Sequence, residues 1–476
     1  MYDVVVIGGG VTGAFVLREC VKNGLYACML ERENDVCMGQ SKANSGIVHA
    51  GYDAKTGSLK AKFNVLGNKM MPKVAKELGV KFRNNGSLVV AFSEEELATI
   101  VELKARGEKN GVEGLKIISK DELIKLEPNI SKRAMGALFA TTGGIICPYE
   151  LTIAAIGNAM DNGADLYLGF ETASIKGEYG SFELTAKDGR KLTAKIVVNC
   201  SGLNGEKVAN LVGDNSFTLG GRKGEYILLD RESGDLVSHT LFFTPTKKGK
   251  GILITQTVDG NILLGPTVEE VEDGETYTTS EGLSSVSSKA GEMCENVPFY
   301  NTITSFAGVR AYSDRHDFII EESKAKKGFI NCVGIESPGL TSAPAIGEYV
   351  VNELIAALLP LKGNDNFCPV RKPDCFFKNL SDEEKNEIIK NDPSYGRIVC
   401  RCEQITEGEI LRALRENPKA TDIDGVKRRT RAGMGRCQGG FCQPYVAELI
   451  AKELNVPLDT VTKAGAGTEI LVGKTK

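Results

Sequence analysis

Four cysteines near the carboxyl end have the spacing of a metal-cluster site. Cys400 and Cys402 form a CxC pair, and Cys437 and Cys442 form a CxxxxC pair after 34 intervening residues. Four thiolates suit either a tetrahedral zinc ion or a 2Fe-2S cluster, and this spacing alone does not choose between them. A cluster at this site would carry electrons one at a time.

A glycine motif lies at the opposite end of the chain. Gly8, Gly10 and Gly13 follow an apolar run and open a helical pattern, and Glu31 comes 18 residues after Gly13. Such glycines let a diphosphate approach a helix N-terminus, and the carboxylate can accept hydrogen bonds from ribose hydroxyls. The pattern predicts a dinucleotide site, with a purely structural glycine turn as the alternative. Glu31 would repel a 2′-phosphate, which argues against NADP.

Two further residues could act on a substrate. The chain has only three histidines, His49, His239 and His316, and His49 alone lies in a loop of small residues. A histidine with an ordinary pKa near ~6.5 can act as a general base. Arg310 follows a Gly-Val pair, interpreted as a turn, and can present a planar fork to a carboxylate or a phosphate. A structural salt bridge is the alternative for Arg310.

The loop over residues 41–51, Ser-Lys-Ala-Asn-Ser-Gly-Ile-Val-His-Ala-Gly, resembles a segment of the FAD-dependent D-amino-acid oxidase and glycerol-3-phosphate oxidase/dehydrogenase superfamily. The resemblance implies FAD as the cofactor, His49 as the catalytic base and Arg310 as the ligand of the substrate anion. It also implies that a helix starting near Thr341 points its positive end at the flavin. The residues expected to bind FAD are Gly8, Gly10, Gly13, Glu31, Arg32, Ser41, Asn44, Ser45, Gly46, Gly202, Gly339, Leu340 and Thr341.

The carboxyl-terminal cysteines also carry a resemblance. Their spacing, together with a helix start at Thr406, resembles bacterioferritin-associated-ferredoxin domains in the form fused to anaerobic-type glycerol-3-phosphate dehydrogenase large subunits. This implies a 2Fe-2S cluster bound by all four cysteines. A basic run precedes the second pair, and it either balances the charge of the cluster or forms a docking face for an acidic partner. The run comprises Lys427, Arg428, Arg429, Arg431 and Arg436.

Composition and charge bear on which partners and which cellular compartment we expect for this protein. With 58 basic and 62 acidic residues, the chain has no overall charge that would attract nucleic acid or an anionic membrane. The amino end enters an apolar strand without a basic leader, and no apolar run reaches ~18 residues, so we expect at most peripheral membrane contact. Thirteen scattered cysteines are typical of a reducing compartment, which predicts a cytoplasmic protein.

The order of patterns predicts the architecture. Residues 2–31 have a βαβ pattern, and residues 216–320 alternate as antiparallel strands do. We therefore expect an α/β FAD-binding Rossmann-like domain with an inserted α+β antiparallel-sheet substrate domain, plus a small, mainly helical 2Fe-2S domain. The predicted divisions are an oxidoreductase over 1–365 with substrate segments at about 70–140 and 205–320, a linker over 366–397, and the 2Fe-2S domain over 398–476.

The resemblance implies a reaction and leaves alternatives. The first expectation is oxidation of sn-glycerol 3-phosphate to dihydroxyacetone phosphate, with electrons passing through FAD and the cluster to a partner subunit of a hetero-oligomer. The same loop resembles that of L-2-hydroxyglutarate dehydrogenase. L-2-hydroxyglutarate, or another 2-hydroxy or 2-amino acid, is therefore an alternative substrate. A non-catalytic electron-relay subunit is the third hypothesis.

Overall fold

The computed structural model describes residues 1–245, 251–272, 274–371, 376–471 and 473. The strands are β1 Tyr2–Ile7, β2 Ala27–Leu30, β3 Ile47–Val48, β4 Phe82–Arg83, β5 Ser87–Ala91, β6 Leu115–Ser119, β7 Gly136–Ala140, β8 Gly144–Ile146, β9 Asp165–Tyr167, β10 Thr172–Glu178, β11 Ser181–Ala186, β12 Lys191–Asn199, β13 Leu219–Leu229, β14 Thr240–Phe243, β15 Leu253–Gln256, β16 Ile262–Gly265, β17 Glu269–Val271, β18 Thr302–Ser313, β19 Ile319–Glu322, β20 Phe329–Val333, β21 Ile398–Cys400 and β22 Ile405–Thr406. The helices are α1 Val11–Lys22, α2 Leu59–Leu78, α3 Glu94–Lys109, α4 Lys120–Leu126, α5 Pro148–Asp161, α6 Gly205–Asn210, α7 Ser280–Met293, α8 Gly339–Tyr349, α9 Asp382–Asn391, α10 Glu407–Arg415, α11 Ile423–Thr430 and α12 Gln443–Leu454.

The first sheet contains the predicted βαβ unit. Its strands run in the order β10-β11-β12-β1-β2-β9, and β20 pairs with β12 and carries β19. The strands β20, β12, β1, β2 and β9 are parallel, so their carboxyl ends meet at one edge. Helix α1 follows β1 directly and packs on α5 and α8, and its apolar side chains are buried in the main core. In such sheets ligands bind outside the carboxyl ends of the strands.

The second sheet has the order β17-β13-β16-β15-β14-β5-β7-β6, with β18 on the other side of β13 along most of its length. It is antiparallel except where β14 pairs with β5 in parallel. One expectation for this region is wrong. The Gly-Val pair before Arg310 forms no turn, because β18 runs through it while pairing with β13.

The helix predicted to start near Thr341 is present. Helix α8 begins at Gly339, ends at Tyr349 and continues as a wider π-type turn over Val350–Ile355. It packs between α1 and α2, so its first turn lies beside the carboxyl ends of the first sheet.

The carboxyl-terminal part has its own apolar core. The hairpin β21-β22 and the helices α10, α11 and α12 enclose side chains such as Ile410, Val426 and Ile450. The predicted start of α10 is confirmed: Thr406 caps the helix, and the Glu409 carboxylate accepts a hydrogen bond of 2.8 Å from the Thr406 N–H. Within the described ranges, none of the helices combines the length and the apolarity needed to cross a bilayer.

Candidate active site and cysteine cluster

A cavity of about 780 Å³ lies where the carboxyl ends of the first sheet meet the face of β13 and β18. The ends of β1, β2, β12 and β20 all contribute residues to its wall. Because the parallel strands end there together, the loops that follow them converge on one elongated space. Many predicted site residues line it, including both His49 and Arg310.

The glycine turn forms one end of this cavity. Gly8 has a φ of +110°, and a Cβ atom on it would lie 2.5 Å from the Cys200 carbonyl oxygen. A Cβ on Gly13 would lie 2.2 Å from the Gly8 carbonyl oxygen, so this glycine allows α1 to pack against the turn. Gly10 is the N-cap of α1 and brings no side chain to the helix end. The turn thus leaves the N-terminal end of α1, with the positive end of its helix dipole, at the cavity, which fits a diphosphate.

Glu31 stabilises the same turn. Its carboxylate accepts hydrogen bonds from the Gly9 N–H at 2.7 Å and from the Glu33 N–H at 3.0 Å. Burial raises the pKa of Glu31 above its usual range. The residue also lines the cavity, and part of its hydrogen-bonding capacity is already used by the protein itself.

The loop after β2 is held by its own side chains. The Ser41 hydroxyl accepts a hydrogen bond of 3.0 Å from the Val11 N–H, which joins this loop to α1. The Asn44 side chain accepts from the Gly46 N–H at 2.9 Å. Thr341 on α8 accepts from the His49 N–H at 2.9 Å through its hydroxyl. These bonds fix the backbone that presents His49 to the cavity.

The predicted FAD ligands therefore fall into two layers, and their roles stay predictions. Those behind the wall pack or orient its backbone: Gly13, Gly46 and Thr341. Those that line the cavity are Gly8, Gly10, Glu31, Arg32, Ser41, Asn44, Ser45, Gly202, Gly339 and Leu340.

His49 is the histidine that the structure places in the cavity. Its Nε2 lies 3.3 Å from the Ser337 Oγ, and its ring lies 5.8 Å from the Phe242 ring, measured between centroids. The other two histidines lie elsewhere: His239 Nδ1 is 2.7 Å from a Glu127 carboxylate oxygen, and His316 is exposed on a loop. Only the His49 ring therefore faces the space where Arg310 also projects.

A second arginine was missed by sequence reasoning. Arg222 on β13 is paired directly with Arg310 on β18, and both line the cavity. Opposite residues on antiparallel strands share a face, and like charges there repel each other. The Arg310 guanidinium donates to the Thr267 carbonyl at 3.4 Å, and that of Arg222 lies 4.0 Å over the Tyr312 ring. Only the register of β13 against β18 could have revealed the pair.

The four cysteines form two pairs. The sulfurs of Cys402 and Cys437 lie 3.6 Å apart, close to the about 3.8 Å expected for two thiolates on one tetrahedral metal ion. The Cys442 thiol donates a hydrogen bond to Cys400 and lowers the pKa of Cys400 to about 6. Among the described residues, no three acidic, histidine or cysteine side chains surround a single point as ligands of one ion would. Two pairs fit a cluster with two irons better than one zinc ion.

Three arginines of the basic run pair with carboxylates of the same chain. Arg428 and Arg429 both contact Asp35, in the loop after β2, at 2.5 and 2.8 Å. Arg431 bonds to Asp259 at 2.7 Å and to Glu403 at 3.0 Å. The docking-face hypothesis is wrong for these side chains, because they join the carboxyl-terminal part to the rest of the same chain.

The four paired cysteines lie between the surface of the protein and the region where these arginines contact the rest of the chain. Met434, three residues before Cys437, has its sulfur 3.4 Å from the Tyr149 hydroxyl of α5. On the other side Cys402 is exposed, and Phe441 beside the second pair is 89% exposed. The site is therefore reachable from outside.

Comparison with known proteins decides the family. The family model described as FAD dependent oxidoreductase matches residues 3–353. The chain belongs to this family. A model described as the BFD-like 2Fe-2S binding domain matches residues 398–452, which contain all four paired cysteines.

Individual relatives extend the match. The chain is 47% identical to a glycerol 3-phosphate dehydrogenase of Caloramator mitchellensis, over 100% of this chain and 99% of the relative. It is 30% identical to a glycerol 3-phosphate oxidase of Mycoplasma genitalium, over 76% of this chain and 97% of that protein. A solved structure of dithionite-reduced L-alpha-glycerophosphate oxidase from Mycoplasma pneumoniae with FAD bound superposes with a TM-score of 0.74 and 28% identity, covering 78% of this chain and 98% of that one.

These findings confirm the predicted superfamily, fold class, enzyme class and cofactors. The superfamily and the fold class are as expected, and the chain is an FAD-dependent oxidoreductase that carries a 2Fe-2S binding domain. FAD and a 2Fe-2S cluster are its cofactors, and the glycine turn and the paired thiols fit them.

Proposed function

We propose that the protein oxidises sn-glycerol 3-phosphate to dihydroxyacetone phosphate in the cavity beside His49. The observation that carries the proposal is the cross-strand pair Arg222 and Arg310, two guanidinium groups on one cavity wall. An anionic group between them would relieve their repulsion and accept several charge-assisted hydrogen bonds. The names of the Caloramator and Mycoplasma relatives support a phosphate as that anion.

Each side chain then has a defined task. Arg310 and Arg222 hold the phosphate, and His49 Nε2 takes the proton of the secondary hydroxyl as its carbon becomes a carbonyl. Ser337, 3.3 Å from that nitrogen, orients the ring. The backbone of His49 is fixed by the Asn64 amide, which donates to the His49 carbonyl oxygen at 2.6 Å. FAD, when bound, supplies the acceptor for the hydrogen of the oxidised carbon.

The electrons need an exit, and the cysteine domain suggests one. We propose that a separate protein receives them at the surface formed by Cys402 and Phe441, as part of a hetero-oligomer. The exposure of Cys402 and Phe441 supports this, because a donor site must approach its acceptor closely. A cytoplasmic location belongs to the same proposal, and the free thiols of the described cysteines are consistent with it.

The decisive experiment is anaerobic mixing of the FAD- and iron-loaded protein with sn-glycerol 3-phosphate. Bleaching of the flavin band near ~450 nm, followed by the EPR signal of a reduced 2Fe-2S cluster, would support the substrate and the electron path. A His49→Asn variant with its FAD retained is the control, and it should lose the bleaching.

Two other results would replace the proposal. Bleaching by L-2-hydroxyglutarate, but not by glycerol 3-phosphate, would assign the arginine pair to a carboxylate. No bleaching by any hydroxy acid, amino acid or glycerol phosphate would favour the relay subunit.

A further inference from the structure

Glu336 lies in the loop between β20 and α8 and faces the cationic end of the cavity. Its side chain is only 15% exposed. One carboxylate oxygen lies 2.7 Å from the Lys60 Nζ, and the other lies 3.7 Å from a guanidinium nitrogen of Arg222. All three side chains line the cavity. A carboxylate is therefore already present where an anionic substrate would bind.

The two contacts of Glu336 differ in strength. The 2.7 Å contact to Lys60 has the length of a charge-assisted hydrogen bond, whereas 3.7 Å to Arg222 is well beyond the ~2.7–2.9 Å of such bonds. The second acidic neighbour of Arg222, Glu270, lies 3.6 Å away and is itself 69% exposed. Arg222 thus lies near two carboxylates, and its guanidinium N–H groups can still donate hydrogen bonds to another acceptor.

The charges at this end do not cancel. Lys60, Arg222 and Arg310 outnumber Glu336 and the mostly exposed Glu270 here, so this wall keeps an excess of positive charge that an anion would balance. Arg222 and Arg310 share one sheet face as direct partners, and a phosphate with three terminal oxygens can accept from both.

We propose that Glu336 is the resident counter-ion of the anion subsite that Arg222 and Arg310 form, and that it limits how tightly an anion binds. This inference rests on the proposed function for the identity of the anion as the phosphate of the substrate. Glu336 acts through Arg222 and Lys60, so it is a specificity-determining residue and takes no part in proton transfer.

The first test measures binding without turnover. Oxidised, FAD-loaded protein is titrated with inorganic phosphate, and binding is followed by perturbation of the flavin spectrum and by the rise in thermal midpoint. Glu336→Gln, which keeps the shape and removes the charge, should bind phosphate about tenfold more tightly. Arg222→Met should bind it at least about tenfold more weakly. Glu270→Gln is the matched control, because this carboxylate is similarly distant from Arg222 but mostly exposed, and its affinity should stay within about twofold.

The second test separates affinity from chemistry. With sn-glycerol 3-phosphate, Glu336→Gln should lower KM more than it changes kcat, and Arg222→Met should raise KM with FAD content unchanged. Arg222→Lys keeps the charge without the planar fork and should fall between wild type and Arg222→Met. If Arg222→Met fails to fold, Arg222→Lys still tests whether this residue contributes to phosphate binding.

The outcomes distinguish this inference from the proposed function. If glycerol phosphate bleaches the flavin but the Arg222 variants bind phosphate as wild type does, the subsite is refuted and the reaction stands. If phosphate binding depends on Arg222 while glycerol phosphate causes no bleaching, the subsite stands and the substrate is wrong. Wild-type protein that binds no phosphate would refute the subsite, as would a Glu336→Gln variant of unchanged affinity.

Discussion

Two groups of arginines in this protein carry the same charge and serve opposite purposes. The pocket arginines, Arg222 and Arg310, have polar contacts of 3.4 to 3.7 Å with neighbouring oxygens. The interface arginines, Arg428, Arg429 and Arg431, have side chains no more than 7% exposed, with carboxylate oxygens 2.5 to 3.0 Å away. Tight, buried pairing marks an arginine that holds the protein together, and loose pairing beside a cavity marks one that can receive a ligand.

The interface and pocket arginines also differ in how much they contribute to stability. Burial alone would raise the pKa of Asp35, but Arg429 and Arg428 outweigh it and hold that pKa below its usual range. Removing one partner of a buried pair leaves an unpaired charge, which costs more than the pair contributes when intact. A pocket arginine can be replaced with little cost to stability, because its contacts with protein oxygens are longer than a charge-assisted hydrogen bond.

The largest effect is expected at Arg310. An Arg310→Met variant should lower kcat/KM for sn-glycerol 3-phosphate about 10³-fold, because two charge-assisted hydrogen bonds to the anion are lost. Steady-state kinetics with an artificial electron acceptor measures this, and FAD content and the thermal midpoint should change little. A loss of less than tenfold would remove Arg310 from the binding site.

The second largest effect is expected at the interface, where a substitution should lower stability and leave substrate oxidation intact. Asp35→Ala should destabilise the docked carboxyl-terminal part by about 3–5 kcal/mol, since Arg428 and Arg429 are left buried without their partner. Hydrogen exchange of the α11 amides should accelerate accordingly, while flavin bleaching by substrate persists at low temperature. Asp188→Asn, an exposed residue paired with Arg190, is the control and should leave exchange unchanged. Equal exchange in wild type and Asp35→Ala would contradict the assigned role of the pair.

The interface should also respond to acid. The pKa of Asp35 is lower in the folded protein than in the unfolded chain, so its stabilising contribution is complete above the ordinary value of about 3.9 and is lost as pH falls through the folded value. Comparing thermal midpoints of wild type and Asp35→Asn, we expect the difference to be constant from pH 5 to 8 and to shrink below about pH 4. A difference that grows in acid would have the wrong sign.

The smallest effect belongs to Arg436, at the edge of the interface. Its side chain is 59% exposed, and its partners are Glu232, 63% exposed at 2.6 Å, and Asp230, 11% exposed at 3.3 Å. Solvent screens such pairs, so Arg436→Gln should leave the unfolding midpoint unchanged within error. A loss comparable to that of Asp35→Ala would show that exposure does not separate strong from weak pairs here.

Local patterns predicted much of the fold correctly. The unit β1-α1-β2 could be read from the sequence because its periodicity, glycines and acidic residue all act within about thirty neighbouring residues. The conformation of the Gly-Val pair before Arg310 could not be predicted from the sequence. A straight strand and a turn share this composition, and only the pairing with β13 decides between them. The pairing of Arg428, Arg429 and Arg431 could not be predicted for a similar reason, since Asp35 and Asp259 are remote from them in sequence.

The amino-acid sequence by itself determined the chemistry available to this protein. Its glycine turn, its CxC and CxxxxC spacings and the histidine in a small-residue loop are short-range features of the sequence. Only the tertiary structure decided which charges are free to act. It set Arg222 against Arg310, placed Glu336 between Lys60 and Arg222, and buried Asp35 among the interface arginines. Electrostatic pairing depends on distance and burial in space, and neither is encoded in any single stretch of the chain.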